Sequence, residues 1–144
     1  MGFALYYVYP AAPPWYVEMY GFDLHYGVQG SSAGLSRFDD LVNFPVFANI
    51  FNKNANVLAA MPSVHSINPI IVLYYGIQKG MGKINWFFVT FMIGIWCTAI
   101  YSNHHYIIDV LAGILVGVSV LYLFEKMINK PYIDIKVQKL VRAL

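Results

Sequence analysis

His105 and Asp109 lie four residues apart at the mouth of a long apolar run, and His65 stands forty residues upstream in Met61-Pro62-Ser63-Val64-His65-Ser66. On a helix this spacing puts His105 and Asp109 on one face, one turn apart. A carboxylate so placed holds one imidazole nitrogen as N–H and leaves the other basic and nucleophilic. The histidines also open helices, and a helix N-terminus carries free N–H groups and partial positive charge that bind anions. Two such ends beside two histidines make a phosphate-sized site. The candidate catalytic residues are therefore His65, His105 and Asp109, and the candidate phosphate-binding residues are Arg37, Ser63 and His104. Arg37 and Lys53 would bring fixed charge from the preceding loop. The bland alternative for both is contact with solvent or lipid headgroups, and for His104 it is an orientation to water. His25 reads as a hydrogen-bonded core or interfacial residue. A zinc site made by His65, His105 and Asp109 is the rival chemistry.

The elements that must position these groups are membrane helices. The chain has 144 residues, of which 59% are hydrophobic and 11% charged, against about 25% charged in a soluble domain. Its mean hydropathy is +0.56. The runs Ile67 to Ile77, Ile84 to Ile100 and Ile107 to Phe124 are almost free of charge. With their flanks they approach the ~20 residues that cross a bilayer as a helix. Tyr and Trp crowd the segment ends, as an interfacial belt would place them. Cys97 is the lone cysteine, which excludes a disulfide framework. The net charge of +2 is small, and its distribution tells more than its sum; the expected partners are lipid substrates and a lipid bilayer, with no nucleic acid.

In order, Met1 to Tyr9 reads as the last turns of a membrane helix whose beginning is missing, with no secretory signal pattern. Pro10, Pro13 and Pro14 stop it, and Ala11 to Tyr16 reads as extended or turning. Gly27, Gly30 and Gly34 mark a loop. An amphipathic surface helix is expected from Arg37 to Phe51, capped by Ser36 and kinked or split by Pro45. Pro62 suits the first turn of a helix that runs to about Gln78. A basic turn, Lys79 to Lys83, leads to a second helix from Ile84 to Tyr101 and a third from His105 to Ile128. Gly113 and Gly117 continue the four-residue spacing of His105 and Asp109, and let another helix approach closely. The expected fold is all-α, a polytopic membrane bundle of three complete helices plus an N-terminal stub and a surface loop region. Residues 1–128 form a membrane-embedded catalytic unit truncated at its N-terminus, and 129–144 a basic tail. Lys79, Lys83, Lys126, Lys130, Lys136, Lys139 and Arg142 fall on the side opposite the histidines. The positive-inside bias puts the tail in the cytoplasm and the histidines on the lumenal or periplasmic face.

Pro62-Ser63-Val64-His65-Ser66 followed by His105-Tyr106-Ile107-Ile108-Asp109 resembles two signatures of the type 2 phosphatidic acid phosphatase superfamily. Ala12-Pro13-Pro14-Trp15-Tyr16, the stretch from Tyr26-Gly27 to Asp39, and the doubled His104-His105 resemble its fungal inositol phosphorylceramide synthase branch. The similarity runs from Tyr7 to Gly117. It implies that His105 is the nucleophile toward phosphorus, that Asp109 orients it, and that His65 serves as acid and then base. It implies no metal and no cofactor, a phosphoinositide-type donor, a ceramide-type acceptor and a lumenal site. With water as acceptor the same residues would make a lipid phosphate phosphatase. Thr98 and Ala99 stand where the superfamily has Ser-Arg, an absence the synthase branch shares, so Arg37 is the substitute candidate for phosphate charge. The family has more membrane helices than this chain, which resembles a C-terminal portion. A missing N-terminal half or an accessory subunit is a candidate partner, and an inactive fragment that packs with such a half is the non-enzymatic alternative.

Overall fold

A computed structural model describes residues 2–53 and 56–128. These form seven α-helices: α1 (Gly2–Val8), α2 (Pro14–Tyr20), α3 (Ser36–Val42), α4 (Val46–Phe51), α5 (Val64–Gln78), α6 (Ile84–Tyr101) and α7 (Ile107–Ile128). One 3-10 turn, Ala33–Leu35, precedes α3. Among the described residues the only strand-like feature is an isolated parallel bridge between Ala11 and Ala59. The fold is all-α, as expected. The tail from residue 129 onward lies outside the described residues.

α5 is the common partner of α6 and α7. Small residues set both contacts. A Cβ on Gly113 of α7 would strike Ser66 Oγ and the Ser63 carbonyl, and one on Gly117 would sit 3.5 Å from Ile67 Cα. At the other end of α5, a Cβ on Gly76 would meet Asn85 Oδ1 of α6 at 2.6 Å. The α7 glycines therefore do what their spacing suggests: they bring α7 against the start of α5.

α6 and α7 are long and apolar enough to cross a membrane. Against the described residues only 6% of α6 and 28% of the most apolar window of α7 are buried, unlike the mostly buried core helix of a water-soluble domain. Trp86, Phe91, Ile93, Leu111, Leu115 and Tyr122 face outward, where a hydrocarbon phase and not water suits them. The expected count of three complete spans reduces to these two among the described residues. α5 has 15 residues, about 22 Å at 1.5 Å per residue, shorter than a typical span.

Four boundaries differ from expectation, each for a local reason. Pro14 opens α2 at its first position instead of prolonging a turn, because its missing N–H costs nothing there. The surface helix starts at Ser36 itself, running on from the 3-10 turn, so Ser36 does not cap it; it splits at Pro45 as expected, and the N–H groups of Phe47 and Ala48 are met by the Asp39 carboxylate at 2.9 and 2.8 Å. Pro62, in a cis peptide, precedes α5 and lies outside its first turn; Ser63 is still extended (φ −66°, ψ 113°) and the helix starts at Val64. α7 starts at Ile107, two residues after His105.

Candidate active site

The start of α5 and the loop before α7 meet at one point. His65 is the second residue of α5, and its Nδ1 lies 3.2 Å from Nε2 of His105, with ring centroids 5.3 Å apart. His105 is 6% exposed and Asp109 2%. The loop that carries His105 turns at Asn103, which adopts the left-handed conformation (φ 59°) that asparagine tolerates better than most residues. The loop is held on three sides. The His105 amide donates to the Ala99 carbonyl at 3.1 Å, Trp15 N–H donates to the Asn103 carbonyl at 3.0 Å, and Gly34 N–H to the Ser102 carbonyl at 3.0 Å. The Ala-Pro-Pro-Trp-Tyr stretch and the glycine loop thus brace the His105 loop from outside the bundle.

The group that fixes the His105 ring is a main-chain oxygen. Nδ1 of His105 lies 2.9 Å from the Ala60 carbonyl and 3.8 Å from Asp109 Oδ2, the latter too long for a hydrogen bond. A carbonyl only accepts, so Nδ1 carries the proton and Nε2 presents a lone pair. Between neutral rings, His65 Nδ1–H is then the donor to Nε2, and His65 Nε2 keeps the second lone pair. Ala60 is itself held by Ala11, whose carbonyl accepts the Ala60 N–H at 3.1 Å. Sequence reasoning missed Ala60, because a backbone carbonyl gives no side-chain signal.

Asp109 occupies the third position of α7, and its Oδ2 accepts the Tyr106 N–H at 2.8 Å. This is the acidic half of a capping box, and it fixes where α7 begins. The expected one-turn pairing of His105 and Asp109 on a helix face is corrected accordingly: the cap leaves His105 outside the helix. Asp109 still puts negative charge beside the Nδ1 side of the ring. Its own carbonyl accepts the Ser63 N–H at 3.0 Å, tying the two helix starts together. Asp109 and His65 lie on opposite nitrogens of the His105 ring, so the three donors do not converge as zinc ligands would.

Of the phosphate candidates, Ser63 is fully buried under α7, and its Oγ has no hydrogen-bond partner among the described residues. His104 borders the site, but both ring nitrogens are engaged: Nδ1 lies 2.9 Å from Ser102 Oγ and Nε2 3.1 Å from the Ser31 carbonyl. Its ring packs on Phe51 with centroids 4.4 Å apart. Burial, and then the neighbouring His105, hold the His104 imidazole below its ordinary range, against the raising effect of the Ser31 carbonyl. Arg37 is exposed and turned away; it donates to the Tyr101 hydroxyl at 3.1 Å and lines a separate cleft with Glu18 and Asn103.

Two spaces open from the histidine pair. A niche of about 80 Å³ lies on the loop side, lined by Trp15, Ser31, Ala60, His65, His104 and His105. A groove of about 530 Å³ runs from the pair along α6, past Thr98, Ile95 and Phe91 to Phe87. The first suits a compact polar group and the second a hydrocarbon chain.

An imidazole with one nitrogen held as N–H and the other facing a second imidazole, at one end of an apolar helical bundle, is an arrangement able to serve phosphoryl transfer. This chain belongs to the PAP2 superfamily, whose model matches residues 1–123. It is 50% identical over 118 residues to a phosphoinositol dihydroceramide synthase of Bacteroides thetaiotaomicron, covering 79% of this chain and 38% of that protein. It is 30% identical over 132 residues to an inositol phosphorylceramide synthase catalytic subunit of Saccharomyces cerevisiae, covering 88% of this chain and 31% of that protein. The Candida albicans inositol phosphorylceramide synthase is likewise 30% identical, over 124 residues, covering 83% of this chain and 26% of that protein. The chain thus spans well under half the length of these curated relatives. No solved structure matches it.

Proposed function

We propose that this chain carries the reaction centre of a metal-independent lipid phosphotransferase that moves a phosphoinositol-type head group to a ceramide-type hydroxyl. The observation that carries this reading is the His105 ring: Nδ1 is held as N–H by Ala60, and Nε2 faces His65 at 3.2 Å. The names of the curated relatives supply the head group and the acceptor.

In the first step Nε2 of His105 attacks the phosphorus of the donor. An N–P bond forms, the P–O bond to the lipid alcohol breaks, and protonated His65 gives its proton to the leaving oxygen. The phosphoryl group enters between the two rings, which are now in contact, so His65 rotates away as substrate binds. In the second step neutral His65 takes the proton of the acceptor hydroxyl. The alkoxide oxygen attacks phosphorus, the N–P bond breaks, and His105 recovers its lone pair. Asp109 acts as a fixed negative charge that favours the cationic phosphohistidine ring, and as the cap that sets the loop. The unsatisfied N–H groups of the first turns of α5 and α7 supply the anion site. Ser63 supports that site by fixing the start of α5, and His104 by walling the niche. Arg37 reaches the phosphate only if its side chain leaves Tyr101.

The histidine ends of α5 and α7 lie on one side of the bundle, and Lys79, Lys83 and Lys126 on the other. This charge distribution supports a non-cytoplasmic site and a cytoplasmic C-terminal end. Acceptor dependence tests the transferase reading. With labelled phosphatidylinositol, label should pass to lipid product only when ceramide is present. Release of free phosphoinositol at one rate with or without ceramide would replace the transferase with a phosphatase.

A further inference from the structure

Gly94 is an exposed glycine in the interior of α6, and no atom lies within 4 Å of where its Cβ would be. Close packing explains Gly76, Gly113 and Gly117 but not Gly94. A helix-interior glycine costs stability relative to alanine, so an unpacked one implies that the space beside it is used. That space is the groove at the histidine pair. Phe87, Thr90, Phe91, Gly94, Ile95 and Thr98 recur at three- and four-residue intervals and present one face of α6 to it.

A second groove, of about 280 Å³, lies between α5 and α6 and shares His65, Phe87, Phe91 and Ile95 with the first. Phe87 and Phe91 stack with centroids 5.9 Å apart and form the wall common to both. Asn68 lines this second groove one turn below His65. It is exposed and makes no hydrogen bond to another described residue. An unpaired carboxamide in an apolar groove calls for a ligand that both donates and accepts, because its N–H and C=O would otherwise be desolvated without partners.

We infer that the two grooves hold the two hydrocarbon chains of the acceptor lipid, with Gly94 keeping the longer groove open and Asn68 pairing with the acceptor's amide. The inference rests on the phosphotransfer reading above and names the acceptor's binding mode. Two-chain lipids match two grooves that meet at one base. A ceramide carries an amide N–H and C=O near its reacting hydroxyl, whereas a diacylglycerol ester only accepts. Asn68 therefore favours the acceptor over the donor as the lipid seated here. Gly94 lies eight residues from Ser102 at the groove's mouth, about 12 Å down the helix. A side chain there would stop a long chain and spare a short one.

The test measures kcat/KM of the full chain in lipid for hexanoyl and palmitoyl ceramides, with one labelled donor. Gly94→Leu should lower the palmitoyl-to-hexanoyl ratio by about ten-fold, the scale on which apolar pockets discriminate chain size. Asn68→Leu should lower the preference for ceramide over diacylglycerol as acceptor by a similar factor of about ten. A photoactivatable ceramide should label the α6 face around Gly94 in the wild type and lose that label in Gly94→Leu, a readout that needs no turnover. Three results would overturn the inference: equal loss for both chain lengths, sensitivity that follows the donor's chains, or photolabelling elsewhere. Absence of any phosphohistidine with α6 labelling intact would instead overturn the phosphotransfer reading and leave the lipid seat standing.

Discussion

The two flanks of α5 use the same residue type for opposite ends. On the α7 flank, Gly113 is pressed against Ser63 and Ser66, and a Cβ there has no room. On the α6 flank, Gly94 faces a groove, and a Cβ there meets nothing. The first flank is a seam that fixes His65 relative to His105 through the Ser63-to-Asp109 backbone bond. The second is open groove, the space that the proposed lipid seat would use. A glycine in a helix costs about 1 kcal/mol relative to alanine in either place, but the reason for that cost differs. The reacting nitrogens must be held within tenths of an ångström, while a lipid chain needs only volume.

The largest effects should come from the histidines that the tight flank positions. His105→Ala should abolish the phosphoenzyme and reduce turnover below detection, measured by trapping label from the donor on the protein. His65→Ala should slow both formation and breakdown of that species by about 10²–10⁴-fold, the usual contribution of a positioned acid or base. Unchanged turnover in either variant would remove that residue from the mechanism and leave the tight seam without a catalytic purpose.

The glycines themselves come next. Gly113→Ala should cost about 1–3 kcal/mol, because Ser63 and Ser66 must move to admit the methyl group. Activity should fall with it as the two rings lose register. Gly94→Ala should be neutral or stabilise by up to about 1 kcal/mol. Unfolding midpoints of both variants in the same detergent check this, and equal midpoints would erase the contrast between the flanks.

That His65, His105 and Asp109 come together was legible from residue type alone, because two histidines and an aspartate at apolar helix starts are costly without a use. The break at Pro45 and the packing of Gly113 and Gly117 were legible for similar reasons: each follows from a missing N–H or a missing Cβ. The sequence did not disclose what holds the His105 ring. Asp109 stood at the right spacing, yet its carboxylate satisfies the Tyr106 N–H, and the Ala60 carbonyl accepts the hydrogen bond from the ring Nδ1–H. A backbone oxygen has no signature in a list of side chains. Arg37 carried the right charge for a phosphate, but its partner Tyr101 is sixty-four residues away in the chain and nothing local points to it. α5 is shorter than its apolar flanks suggest because the residues before Val64 belong to the turn that positions Ser63.

The smallest effect concerns His104, which joins the His105 loop to the glycine loop. Its half-buried ring, faced by His105 and by the Ser31 carbonyl, titrates below its ordinary range, with desolvation the main cause. The unfolded chain takes up this proton near pH 6.5, and the folded chain resists it. His104 therefore supports the loop contact fully above about pH 6.5, and that support is lost as pH falls toward the lowered folded value. Protonation would also make Nδ1 a donor, so the Ser102 hydroxyl must turn to accept. In wild type, hydrogen exchange at the Gly34 amide, which donates to the Ser102 carbonyl, should quicken as pH drops below about 6.5 beyond the intrinsic trend. In His104→Asn exchange should be faster at neutral pH and lack that extra acid dependence. An unaltered acid dependence in the variant would move the titrating group elsewhere and leave His104 as a packing residue against Phe51.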